Sequence, residues 1–257
     1  MAAPKFARLV AAETVGPRAR RLEFEMISPP MNYVGGQFVI IDTGMALASG
    51  RLAKRAYTIS SADGDPSRFE LVACRIDQGV CSGYLHQIEI GTELSFTGPW
   101  GKFTPAHARD EGPTWVVATD TGITAALGLL RSEAFRERLP RTTFLFLSPP
   151  ADDFVSEAFI RDRLTEVIAG GARCELHVGA LPPVHHVERV AAGLAHFQAM
   201  PWSDPPSSVF LTGDGALLYP FAAAISRAGL ATTRVTIESF FNVPVRPPPD
   251  PSTWASR

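Results

Sequence analysis

No apolar run in this sequence reaches the roughly 18 residues that a helix needs to cross a bilayer. The opening residues, MAAPKFARLV, lack the long apolar core of a secretory leader. A cytoplasmic protein without a membrane span is therefore expected. Cysteine is scarce: 257 residues hold 3, Cys74, Cys81 and Cys174, with no CxxC spacing and one short of a four-thiolate set. Neither a zinc site nor an iron–sulfur cluster of four cysteines is available, so any redox chemistry needs an organic cofactor. Charge is sparse too. Charged residues make up 19% and the formal net charge is −2, which indicates no polyanionic partner and makes nucleic acid an unexpected ligand.

What is present is a globular composition, 46% apolar, on a chain long enough for two ordinary domains or one large one. The pattern changes near residue 110. Before it, six short stretches rich in β-branched and aromatic residues alternate with Gly and Pro: KFARLVAAET, ARRLEFEMI, GQFVIIDTG, RAYTISS, RFELVACRI and GTELSFTGP. They predict an antiparallel barrel or sandwich. One helix is expected to open at Ser82 in SGYLHQI, with Ser82 as its cap and Leu85 and Ile88 on one face. After residue 112, apolar runs alternate with helical segments: TWVVAT and GITAALGLLRSEAFRER, TTFLFLS and DFVSEAFIRDRLTEVI, CELHVGA and HVERVAAGLAHF, SVFLTG and ALLYPFAAAISRAG, then TRVTIESFF. This is the signature of a parallel sheet covered on both faces. Expected boundaries are a β domain over 1–110, an α/β domain over 111–242 and an extended Pro-rich tail over 243–257, with TPAHARDEGP as the linker.

Seven segments stand out from this scaffold: YVGGQF, RAYT, GVCSGYL, GPWGKF, ATDTGIT, TGDG and ESFFN. In this set and order the chain resembles the ferredoxin–NADP reductase family of flavoenzymes. The resemblance spans roughly residues 5–242. RAYT fits the family's R-x-Y-[ST] flavin signature, GVCSGYL its G-x-x-S-x-x-L signature and GPWGKF its G-P-x-G-x-F form. The resemblance implies a FAD-binding antiparallel β-barrel followed by a doubly wound α/β domain for NAD(P).

Within that resemblance the residue types make chemical sense. FAD carries a diphosphate, which the guanidinium of Arg55 can bind in a bidentate, charge-assisted way. Tyr57 lies two residues on, on the same strand face, placed to pack against the flavin. Thr58, with Ala56 between it and Arg55 in the signature, matches the hydroxyl that hydrogen-bonds flavin N5, the atom that accepts hydride. Gly79, Val80, Cys81 and Ser82 form a helix start facing the same diphosphate. Cys74, Arg75 and Ile76 occupy the strand that runs beside the flavin in relatives.

The nucleotide half departs further from the family form. Thr121, Gly122 and Thr124 match its phosphate loop, but Asp120 stands where relatives have Gly and Ala125 where they have Pro. A carboxylate there repels phosphate unless its side chain turns away. Thr212 and Gly213 replace a Cys-Gly pair near the nicotinamide, and Asp214 is either a ribose partner or the cap of the next helix. Ser148, after the second strand of this half, can donate to a 2′-phosphate or a ribose hydroxyl. Glu238 matches an acidic residue near the flavin, and Phe240 or Phe241 the aromatic that covers it. His185 and His186 have no further ligand at metal spacing, so no metal is expected. The implied activity moves hydride from NADPH, or NADH, to FAD and then electrons to a separate ferredoxin or flavodoxin, in a monomer. Two other readings stay open. One is an oxygenase reductase component or a flavin or quinone reductase, the other a flavin electron-transfer or regulatory subunit that does not use nicotinamide.

Overall fold

The computed structural model describes residues 3–109, 112–148, 154–168, 174–182, 186–200 and 205–240. Six antiparallel strands build its first half: β1 (Lys5–Gly16), β2 (Ala19–Met26), β3 (Phe38–Ala46), β4 (Leu52–Thr58), β5 (Arg68–Cys74) and β6 (Glu93–Trp100). Each corresponds to one of the six stretches, because alternate residues along them are apolar. Leu22 and Phe24 on β2, Val39 and Ile41 on β3, and Phe69 and Leu71 on β5 are sequestered inside. The sheet order is β4-β3-β6-β1-β2-β5, and a bridge from Ile59 to Leu71 joins its two ends. The sheet is thus a closed barrel rather than a sandwich, around an aromatic stack in which Phe69 lies 5.3 Å from Phe24 and 5.2 Å from Phe96.

A short helix, α1 (Val80–Leu85), interrupts the barrel, and its start differs from expectation. Gly79, not Ser82, is its N-cap. Ser82 lies inside the helix, where its hydroxyl donates to the Gly79 carbonyl (3.3 Å) and accepts from the Ile76 N–H (3.1 Å). The hydroxyl therefore braces the loop before the helix instead of capping its free N–H groups.

The second half is a parallel sheet of β7 (Thr114–Thr119), β8 (Thr142–Ser148), β9 (Glu175–Ala180), β10 (Ser208–Gly213) and β11 (Val235–Ser239), ordered β11-β10-β7-β8-β9. Helices α2 (Ile123–Arg131) and α3 (Glu157–Ile168) cover one face, and α4 (His186–Ala199) and α5 (Gly215–Arg227) the other. The helix expected through GITAALGLLRSEAFRER stops at Arg131 and continues as a 3₁₀ segment over Glu133–Arg141. Ser132 turns extended there because Asp63, from the barrel, binds both the Ser132 hydroxyl (2.5 Å) and the Glu133 N–H (3.0 Å). A tertiary hydrogen bond thus overrides local helical periodicity.

The two halves share a core. Ala19, Val72 and Phe103 of the first pack with α2, α3 and β7 of the second. Gly128 lets α2 approach the barrel backbone, since a Cβ on it would lie 2.4 Å from the Ile59 carbonyl oxygen. Beside this contact Glu70, 5% exposed, meets three guanidiniums: Arg21 in close contact, Arg163 at 3.7 Å and Arg131 at 3.8 Å. The expected boundary at 110–111, the residues Phe241 and His185, and the tail from 243 onward lie outside the described residues.

Candidate functional site

Burial grades along β4. Arg55 and Ala56 are exposed, Tyr57 is half-buried and Thr58 is buried. Arg55 donates to the Lys54 carbonyl (3.0 Å) and, with Arg51 and Lys54, lines a cavity of about 650 Å³ that Leu47 and Leu52 flank. Lys54 already pairs with Asp42 at 2.7 Å, and that contact holds the Asp42 carboxyl below its ordinary value. Burial pushes the Tyr57 hydroxyl far above its usual value despite the opposing charge of Arg55, so it stays protonated and able to donate. Helix α1 packs against β4 and β5. Burial likewise raises the Cys81 thiol, against Arg55, which suits a packed residue rather than a nucleophile. Cys74 is half-buried, Arg75 and Ile76 are exposed, and Val80 is half-buried at the helix start. Arg18 grips the Arg75 carbonyl through Nη2 (2.7 Å) and Nε (2.9 Å), fixing this loop.

The second cluster lies where the parallel sheet reverses order, between β7 and β10. Crevices at such switch points, outside the carboxyl ends of the strands, hold ligands in doubly wound folds. Asp120, Thr121 and Gly122 form a 3₁₀ turn between β7 and α2, and the Thr124 hydroxyl donates back to the Thr121 carbonyl (2.9 Å). A Cβ on Gly122 would lie 2.3 Å from the Thr212 carbonyl oxygen, so the turn presses on β10. Asp214 accepts from the Ala216 N–H (2.9 Å) and is the N-cap of α5. Its own N–H donates to the Thr119 hydroxyl (2.8 Å), which draws the Gly213 end of β10 onto β7. Thr212 sits in register between Ala118 and Glu238, and its hydroxyl is buried with no partner among the described residues. Desolvation raises the Glu238 carboxyl above its ordinary value. Phe240 donates its N–H to the Gly213 carbonyl (3.0 Å) and packs against the α2–α3 core. Ser148 is buried at the end of β8.

Asp120 is the unusual member. Its φ of 51° is left-handed, a conformation that Gly adopts freely and Asp tolerates better than most residues. Its carboxylate accepts from Arg189 Nη2 at 2.5 and 2.7 Å. Burial raises this carboxyl, with Arg189 opposing the shift and Asp214 adding to it. The side chain does turn toward a partner, as a carboxylate in that loop must.

The structure therefore gathers RAYT and GVCSG at one place and the DTGIT, TGDG and ESF ends at another. Helix α2 links them. It starts at the Asp120 turn and ends with Arg131 donating to the carbonyl of Ser60, two residues beyond Thr58 (2.8 Å).

Residues 6–104 match the model of the oxidoreductase FAD-binding domain family. A ferredoxin–NADP reductase B from Sorangium cellulosum is 35% identical over 182 residues, covering 69% of this chain and 70% of that protein. The chain belongs to the ferredoxin–NADP reductase family. An NADH-cytochrome b5 reductase 1 of Mycosarcoma maydis is 29% identical over 134 residues, 51% of this chain, and the match spans 39% of that longer protein. Among solved structures, a Neisseria gonorrhoeae ferredoxin NADP+ reductase with bound FAD and NADP has a TM-score of 0.73 at 14% identity, over 94% of this chain and 100% of that one. The ferredoxin reductase in carbazole 1,9a-dioxygenase has 0.71 at 18% identity, over 93% and 70%. At these identities the shared property is the fold, a barrel followed by a doubly wound sheet.

For a ferredoxin–NADP reductase family member the barrel half is chemically apt for FAD. Arg51 and Arg55 border a cavity large enough for part of a dinucleotide, and the Gly79 loop brings backbone N–H groups to α1. Arg51 and Lys54 were not singled out from sequence, although the run RLAKR that ends in the signature Arg55 was a visible cation cluster. Arg189 stands in LPPVHHVER, past the third strand of this half, where the family resemblance puts the 2′-phosphate of NADP-preferring relatives, but no local signal paired it with Asp120. It lies 69 residues from Asp120, and only the packing of α4 over the switch point joins them.

Proposed function

We propose that this family member is an FAD-dependent reductase that takes reducing equivalents from NADPH, with NADH as the other candidate donor, and passes electrons to a separate ferredoxin or flavodoxin. The observation that carries this reading is the contact between the two clusters. The end of β4 that bears Thr58 abuts α2, the helix that opens from the loop matching the family's nucleotide site.

Bound FAD would supply the conversion between two-electron and one-electron transfer, which no side chain can perform. Arg55 and Arg51 would neutralise its diphosphate from one side and the N–H groups around Gly79–Ser82 from the other. Tyr57, protonated and half-buried, would pack against the ring system, with Cys74, Arg75, Ile76, Val80 and Cys81 lining its surroundings. Thr58 would present its hydroxyl to flavin N5, and Ala56 keeps that part of β4 slim. On the donor side, Thr121, Gly122, Thr124 and Gly213 would admit the nucleotide backbone, and Ser148 its ribose or 2′-phosphate. Thr212 has a buried hydroxyl that lacks a partner among the described residues, as a group awaiting a carboxamide or ribose would. Glu238, raised by desolvation, would hold a proton near neutral pH better than a free carboxylate does. Phe240, or Phe241 beyond the described residues, would shield the ring from water. The domains are proposed to divide at 110–111 and the protein to work as a cytoplasmic monomer.

Anaerobic mixing of the purified holoprotein with NADPH and with NADH tests the donor. Bleaching of the flavin absorbance by one of them is expected, and bleaching by neither rules out nicotinamide as donor. The Asp120–Arg189 pair favours one competing reading, a flavin electron-transfer or regulatory subunit without nicotinamide chemistry. That reading predicts reduction by dithionite but by neither nucleotide.

A further inference from the structure

The switch-point crevice of this chain is arranged for an anion and already contains one. Arg189 sits in the first turn of α4 (His186–Ala199), at the positive end of the helix dipole, where a cation is disfavoured unless an anion offsets it. Helix α2 (Ile123–Arg131) continues directly from the Asp120–Gly122 turn, so the positive end of its dipole lies beside the same point and also favours an anion. The Asp120 carboxylate supplies that anion to Arg189, accepting from its Nη2 at 2.5 and 2.7 Å, from a backbone at φ 51° that a side-chain-bearing residue adopts at a cost. The pairing is incomplete. Nε of Arg189 is buried without a hydrogen-bond partner among the described residues, although a guanidinium facing a carboxylate end-on or side-on can engage two nitrogens. Thr212 Oγ1, on the strand against which the Asp120 turn packs, is a second buried polar atom left without one.

From this geometry we infer that Asp120 is an internal stand-in for the diphosphate of the dinucleotide, and that Arg189 is the cation exchanged from the carboxylate to the diphosphate when nucleotide binds. The inference rests on the nicotinamide-donor reading above and deepens it. It makes Arg189 a binding determinant and Asp120 a competitor that lowers affinity without any other molecule. The two free donor positions on Arg189 and Thr212 are then the places where the exchange gains hydrogen bonds. A structural brace between α4 and the β7 loop would gain nothing from anions.

The test is calorimetric binding of NADP+ and of NAD+ to the FAD-loaded protein and to Asp120→Asn, Asp120→Gly, Arg189→Met and the Asp120→Asn/Arg189→Met double variant. Asn and Gly both accept left-handed backbone, and flavin absorbance with thermal melting confirms that each variant is folded. Asp120→Asn and Asp120→Gly should tighten the preferred nucleotide at least tenfold, and Arg189→Met should weaken it. In the Arg189→Met background the Asp120→Asn gain should disappear, because the cation it would release is gone. An unchanged dissociation constant in Asp120→Asn and Asp120→Gly would overturn the inference, as would the same gain with and without Arg189, which would make Asp120 a simple repulsive charge. If no variant binds either nucleotide while all hold FAD, the donor reading itself falls and the stand-in falls with it. A wild-type protein that NADPH reduces, paired with an unaffected Asp120→Asn, overturns the stand-in alone.

Discussion

Arg189 on α4 reaches across the sheet to hold Asp120 in the loop after β7, at 2.5 and 2.7 Å from its two carboxylate oxygens. Both side chains are largely buried, 20% and 16% exposed. Neither residue would hold its place alone. The carboxylate stands where the family form of this loop has Gly, and the guanidinium occupies the unfavourable end of its own helix.

Removing the cation should therefore expose the cost of the anion. Arg189→Met leaves a mostly buried carboxylate without its partner, a loss of about 2 kcal/mol, below the ~3–5 kcal/mol typical of fully buried pairs. The sign with pH is definite. Asp120 already titrates above its ordinary 3.8 because burial disfavours its charge, and loss of Arg189 moves it further up. The variant's deficit should be full above that raised value and vanish as pH falls below 3.8, where the group is neutral in folded and unfolded chains alike. Thermal melting of both proteins across pH 3.5–8 reads this directly, and a deficit independent of pH counts against it.

Arg55→Ala should weaken FAD binding at least tenfold, in line with charge-assisted hydrogen bonds worth roughly 1.5–3 kcal/mol. Arg55→Lys should recover only part of that, since an ammonium lacks the planar fork. Titrating apoprotein with FAD and following flavin fluorescence measures both. Equal affinity in the alanine variant would remove Arg55 from the diphosphate site.

Glu70, held by Arg21 of β2, ties the barrel to α2 through Arg131 and to α3 through Arg163. Glu70→Ala removes the buried carboxylate that three clustered guanidiniums share and should cost about 3 kcal/mol of stability. Glu70→Gln, which keeps the Ser60 hydroxyl contact (3.1 Å) but not the charge, should lose less. Urea unfolding gives both values, and near-wild-type midpoints for Glu70→Ala would show the cluster to be energetically neutral.

Glu238 has a carboxyl raised above 4.5 by desolvation alone, so ionising it costs the folded protein stability. The wild type should lose that stability as pH rises from 4.5 through the folded value, then stay level. Glu238→Gln should melt higher than wild type at pH 8 and match it near pH 4. A melting difference of the opposite sign at pH 8 would mean that the carboxylate, not the acid, is the favoured form.

Local chemistry was enough to locate the eleven strands among the described residues. Most are short alternating or continuous apolar runs with Gly, Pro or Asp close by, and period and punctuation are properties of the chain itself. The RAYT and GVCSGYL signatures were equally legible, since Arg55, Tyr57 and Ser82 are close in sequence to the partners that give them meaning. Features that depend on distant residues were not readable in this way. Barrel closure rests on Ile59 meeting Leu71, the α1 cap moved to Gly79 because Ser82 braces Ile76, and α2 stops at Arg131 because Asp63 of the barrel holds Ser132. The last of these is Asp120. Its sequence position predicted repulsion of phosphate, but that it carries its own cation follows only from the packing of α4 across the switch point, which no local pattern encodes.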